Sequence, residues 1–65
     1  MEKRYYIAII KELRMNGEIF NYFEKVDLIK WVSYYDTIQN AEDAILNYGN
    51  SFTNYTILTD YYITD

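Results

Sequence analysis

The 65 residues predict an α+β domain: a small antiparallel sheet in the order β-β-β-α-β with one helix on one face. Three observations predict it. Asp36 to Gly49, DTIQNAEDAILNYG, carries apolar residues at helical spacing between a capping residue and a stop. Asn16-Gly17 stands between two runs rich in Ile, Tyr and Phe, the pattern of a hairpin. Tyr55 to Ile63, YTILTDYYI, consists largely of strand-formers and holds neither Gly nor Pro.

Arg4 to Met15, RYYIAIIKELRM, opens as a strand. Both alternating sets are apolar as far as Ile10, which suits a central strand covered on both faces. Lys11, Glu12 and Arg14 then carry the far end into solvent, and a helix over Ile7 to Met15 is the alternative. A type I′ turn needs positive φ at both central residues, and Asn16 and Gly17 tolerate that best. Glu18 to Glu24, EIFNYFE, returns as the second strand, with Leu13 facing Phe20, Ile10 facing Phe23 and Lys11 opposite Tyr22. A slip of one residue would exchange the faces.

Between Lys25 and Asp36 two patterns compete. Leu28, Ile29, Trp31 and Val32 fit a helical face with Asp27 as its cap, whereas Trp31 to Tyr35 is dominated by strand-formers. The expectation is a loop from Lys25 to Leu28 and a third strand from Ile29 to Tyr35. Thr37 then caps the helix, since its hydroxyl can accept from a first-turn amide that has no partner inside the helix. Ile38, Ala41, Ala44, Ile45 and Tyr48 share one side, with Gln39, Glu42, Asp43 and Asn47 on the other. Gly49 is expected to end it in the left-handed conformation. In Asn50 to Asn54, Phe52 is expected to tuck under the helix end. In the last strand Tyr55, Ile57, Thr59, Tyr61 and Ile63 share a face, and Thr56, Leu58, Asp60, Tyr62 and Thr64 share the other.

A chain this short is one domain, residues 1–65, and folding buries only about 60% of the surface it exposes when unfolded. With no Cys and no His, disulfides and thiolate or imidazole metal sites are excluded, and oligomerisation is the remaining way to add stability. Aromatic residues make up 20% of the chain, nine of them Tyr, more than a minimal core requires. One helix of about 17 Å, at 1.5 Å per residue, cannot cover both faces of a four-stranded sheet. The bare face is expected to hold several of Tyr5 or Tyr6, Tyr22, Phe23, Trp31, Tyr34 or Tyr35, and Tyr61 or Tyr62, a patch that a two-fold homodimer would cover. Neither a leader nor an apolar run of bilayer length is seen, so the expectation is a soluble cytoplasmic protein.

All six bases lie in the first 30 residues, which carry a net +1, while Trp31 to Asp65 has five acids and no base. Phosphate backbones are repelled by that second half, so direct nucleic-acid binding is disfavoured and a basic protein partner is favoured. Catalysis is disfavoured as well. Carboxylates, Lys, Ser, Thr and Tyr are the available groups, and the one adjacent acidic pair, Glu42-Asp43, diverges by about 100° around a helix. The two glycines are isolated, so no phosphate loop is present and no cofactor is expected.

Tyr34 to Ile45, YYDTIQNAEDAI, followed by Tyr55-Thr56-Ile57-Leu58, resembles very small phage and prophage accessory proteins of low-GC bacteria. These share an opening strand of Tyr and Ile, an aromatic-Asp-Ser/Thr start to an Ala-containing helix, and a closing strand of this type. The resemblance implies an anti-defence protein that binds a host defence protein or its signal, and it assigns no functional residue.

The functional expectation is a small acidic, protein-binding inhibitor of a host defence or nucleic-acid-handling protein, working as a homodimer. Trp31, Tyr34, Tyr35, Tyr61 and Tyr62 would anchor the partner or form the dimer seam, and Asp36, Glu42, Asp43 and Asp60 would steer a basic surface. Asp65 belongs to the same acidic array, which otherwise reads as solvated surface. Two alternatives stand beside this one. The first is a dimer that sequesters a nucleotide or small molecule between aromatic rings, with Lys11, Arg14, Lys25 or Lys30 meeting its phosphate. The second is a structural subunit of a larger assembly.

Overall fold

A computed structural model describes residues 2–63. Thr64 and Asp65, expected on the last strand's outer face and in the acidic array, lie outside the described residues. Strand β1 runs Glu2–Met15 and β2 runs Glu18–Lys25; helix α1 spans Ile38–Tyr48 and strand β3 spans Tyr55–Tyr62. The three strands form one antiparallel sheet in the order β2-β1-β3, and the helix connects its two edges. Extents of 45 × 31 × 18 Å fit a single sheet with a single helical layer.

Local chemistry accounts for the hairpin. Asn16 and Gly17 both take positive φ, 51° and 81°, as a type I′ turn requires. The register pairs Leu13 with Phe20, Ile10 with Phe23 and Lys11 with Tyr22, as the turn length dictates.

β1 is longer than either neighbour and is shared between them. Its first half, Glu2 to Ile9, pairs with β3, while its second half, Ala8 to Met15, pairs with β2, so only Ala8 and Ile9 have a strand on both sides. The sheet is therefore staggered. Beyond Ile10 the β1–β2 hairpin leaves the body as a two-stranded arm with both faces open to solvent.

The expected third strand does not form. Ile29 to Tyr35 makes two isolated bridges instead: Ile29 with Val32, closing a tight turn through a 3.0 Å bond, and Tyr35 with Tyr5 of β1. Trp31 occupies that turn at φ 75°, a conformation that no strand contains. Edge space explains the rest. β2 already holds this side of β1 down to Ala8, Val26 continues with a 2.9 Å bond to the Ile7 carbonyl, and only Tyr5 is left for Tyr35.

The core lies where the helix crosses the sheet. Ile7, Tyr35, Ala41 and Ala44 are buried together, ringed by Tyr5, Val26, Leu28, Ile29, Val32, Ile45, Tyr55 and Ile57. Tyr5, Ile7, Tyr55 and Ile57 belong to one alternating set of the β1–β3 ladder, so the helix covers that face only. Alanine at 41 and 44 lets the helix approach the sheet closely. Among the described residues Ile7 is the one large side chain that is fully buried, so the core is thin for the surface around it.

Both helix ends behave as capped termini, one as expected and one differently. Thr37 is the N-cap, its hydroxyl accepting from the Asn40 amide at 3.1 Å. Gly49 closes the last turn with a 2.9 Å bond to the Ile45 carbonyl, but its φ of −76° and ψ of 163° are extended, not left-handed. Glycine is needed there for room: a Cβ would stand 2.6 Å from the Ile45 carbonyl oxygen and 2.8 Å from the Tyr55 ring. The same ring displaces Phe52 from its expected place. The Tyr55 hydroxyl accepts from the Asn50 amide at 3.1 Å, and Asn50 Oδ1 accepts from the Phe52 amide and the Thr53 hydroxyl. Phe52 is turned outward, 97% exposed.

Candidate functional site

The residues singled out in the sequence fall on four surfaces. Tyr35 is not on any of them. Its ring lies in the core with 9% exposure, and its hydroxyl has no hydrogen-bond partner among the described residues. Burial, followed by the charge of Asp27, raises its pKa above the ordinary value of 10.0.

On the helix-free face, Tyr34 and Tyr62 join Arg4, Tyr6 and Asp60. Tyr6 and Tyr34 meet edge to face with centroids 6.1 Å apart. The Arg4 guanidinium lies 3.7 Å from the Tyr34 ring centroid and 5.1 Å from that of Tyr62, and Lys25 Nζ stands 4.9 Å from Tyr34. Asp60 accepts from Arg4 Nη2 at 3.1 Å and Nε at 3.3 Å. Tyr62 donates its hydroxyl hydrogen to Glu2 at 2.8 Å, and that bond, ahead of burial and of the charges of Glu2 and Asp36, raises its pKa. The expected oily patch is therefore a web of aromatic and charged groups that largely satisfy one another. Asp60 is occupied by Arg4 and has little charge to spare for steering.

Tyr61 is on the opposite face from Tyr62, across from Lys3, and it is exposed. Glu42 and Asp43 project from the solvent side of α1, where Asp43 accepts from Gln39 at 3.0 Å. Asp36 is exposed in the bend before the helix.

Trp31 is alone at the tip of its loop, 89% exposed, with Lys30 Nζ 5.0 Å from its ring. A bulky L-residue at φ 75° costs about 1–2 kcal/mol relative to right-handed backbone, and here the ring gains almost no burial in return.

The hairpin arm carries further exposed apolar side chains, of which only Tyr22 and Phe23 belong to the patch expected to be covered by a dimer. Ile10, Leu13, Met15, Ile19, Phe20, Tyr22 and Phe23 line the hairpin arm, each between 48% and 59% exposed. Ladder alternation puts Ile10, Ile19 and Phe23 on one face and Leu13, Met15, Phe20 and Tyr22 on the other. The readable trace of this was the IFNYF run, in which both alternating sets carry apolar residues where a half-buried hairpin shows one.

Among the described residues no three carboxylates converge on a point that could hold a metal ion, and no helix is long and apolar enough to cross a membrane. One copy presents no enclosed pocket among these residues. Family models, curated proteins and solved structures give no match to this chain.

Proposed function

We propose that the protein acts by binding another protein, as a small acidic inhibitor of the kind phage accessory proteins provide against host defence or nucleic-acid-handling proteins in the cytosol. The observation that carries this reading is Trp31. Its strained backbone and uncovered ring make no sense as packing, while Trp placed centrally in an interface is among the strongest binding anchors. Glu42, Asp43 and Asp36, with no base after Lys30, bias the approach toward a basic surface. A nucleotide held against Tyr34 is the competing reading, and it requires a base to displace the Arg4 guanidinium already seated on that ring.

The test is Trp31→Gly with the chain as bait in a bacterial lysate. Glycine accepts φ 75° without strain, so the variant should be more stable than the parent by about 1 kcal/mol in urea unfolding. It should nevertheless lose any protein that the parent captures. Trp31 is the only Trp, so its emission should also shift to shorter wavelength when the captured protein is added back. Full retention of that protein by the more stable variant would refute the anchor.

A further inference from the structure

The outer edge of β2 points to a second copy of this chain. We infer that two hairpin arms pair antiparallel, edge to edge through β2, to give a continuous six-stranded sheet in the order β3-β1-β2-β2-β1-β3 with a two-fold axis at Asn21.

Hydrogen-bonding geometry fixes which groups are available. A two-residue turn makes Met15 and Glu18 a hydrogen-bonded pair, so Glu18, Phe20, Tyr22 and Glu24 direct their amides and carbonyls toward β1. The Val26 amide, two residues on from Glu24 and bonded to the Ile7 carbonyl, keeps that alternation. Ile19, Asn21, Phe23 and Lys25 thus turn theirs to the open edge, where no other described strand lies. Eight residues run without a bulge and without proline, and the central five, IFNYF, carry no charge. Natural sheet edges are normally blunted by such devices when they are meant to stay single.

A two-fold axis normal to the sheet keeps both copies facing the same way, so residues that meet must have the same parity. Centred on Asn21, it sets Ile19 against the second copy's Phe23, Phe20 against its Tyr22, and Asn21 against Asn21. The outward amides and carbonyls of Ile19, Asn21 and Phe23 then meet their equals along the seam. Centring the axis on Tyr22 would instead place Phe20 against Glu24 and Ile19 against Lys25, which wastes the aromatic pairs. The Asn21 register has one like-charge meeting, Glu18 with Glu24 at its ends, where Lys11 Nζ already lies 3.4 Å from Glu24.

Charge favours a like partner here. Residues 10–25 hold three bases, Lys11, Arg14 and Lys25, and three acids, Glu12, Glu18 and Glu24, so the arm is neutral in a chain of net −4. Copies that would repel elsewhere can meet along it. Across the seam the β2 side chains meet in pairs, Phe20 against Tyr22 on one face and Ile19 against Phe23 on the other, each pair made twice by the two-fold axis. Because the contact is isologous, pairing consumes both β2 edges and closes the assembly at two.

Light scattering on the purified chain at micromolar concentration should give twice the chain mass, falling toward the single mass on dilution. Asn21→Cys should form a disulfide-linked dimer under mild oxidation, since its partner would lie directly opposite and the chain has no other Cys. Thr59→Cys on β3 should not. Asn21→Pro removes only an outward amide and should give the single mass with an unchanged circular dichroism spectrum. A single mass for the parent chain, or cross-linking no faster at position 21 than at position 59, would overturn the inference, and the cross-link decides even if the proline variant does not fold. Trp31 is not in the seam, so a dimer that captures no other protein separates this inference from the inhibitor reading.

Discussion

Tyr5 and Tyr35 exchange two backbone hydrogen bonds of 2.8 Å each, and this bridge ties the far end of the long loop to the sheet. It also sorts the aromatic side chains on either side of it. Adjacent residues in extended backbone point to opposite faces, so docking Tyr35 against Tyr5 sends its ring into the core and sends Tyr34 to the helix-free face beneath Arg4. The helix that follows, capped at Thr37, is thereby aimed back across β1.

Tyr35→Phe should stabilise the fold by up to about 1 kcal/mol, because a buried hydroxyl without a partner costs more than the hydrogen atom that replaces it. Urea unfolding near neutral pH measures it. The parent chain should also lose stability as pH rises above 10.0. The raised pKa means that the folded state keeps the phenol proton after the unfolded chain has released it, so this contribution is complete below 10.0 and fades as pH climbs through the folded value. The phenylalanine variant should show a shallower alkaline decline.

The two glycines should respond to alanine for different reasons. Gly49→Ala puts a methyl group against the Ile45 carbonyl and the Tyr55 ring, which should cost about 1–3 kcal/mol and loosen the start of β3. Gly17→Ala meets no atom within 4 Å but must hold φ +81°, at a cost of about 1 kcal/mol confined to the arm. Hydrogen exchange of β3 amides against those of β2 would tell the two apart.

Ile7→Ala should be the most damaging single truncation. Deleting a fully buried branched side chain costs about 2–5 kcal/mol, and among the described residues no other large side chain is fully buried to compensate. In a domain of this size that leaves little net stability, so thermal unfolding should shift well below that of Ile9→Ala, whose side chain is only half-buried.

Charge reversal of Glu42 and Asp43 to Lys should leave folding within about 0.5 kcal/mol of the parent, because both project into solvent. Association with a basic partner should slow and lose most of its dependence on ionic strength. Stopped-flow mixing at two salt concentrations reads both effects, and unchanged association rates would remove these two residues from the steering role.

Much of the fold was readable because the interactions concerned are local. Asn16-Gly17 defines a turn through the φ values its two residues accept, and the turn length then fixes the pairs Leu13–Phe20 and Ile10–Phe23. Thr37 and the spacing of Ala41, Ala44 and Ile45 define the helix and its buried side in the same way. Tertiary structure decided what depends on competition for space. β2 and Val26 hold the edge of β1 that Ile29 to Tyr35 would have needed, so strand-forming residues there became a loop, Trp31 was forced to positive φ, and Tyr35 went into the core. Nor is it visible in sequence that β3 starts opposite Ile9, yet that stagger strips the arm of neighbours and moves the open apolar surface from the sheet face to the hairpin. Periodicity states which residues can share a face, whereas occupancy of an edge or a face is set by the rest of the chain.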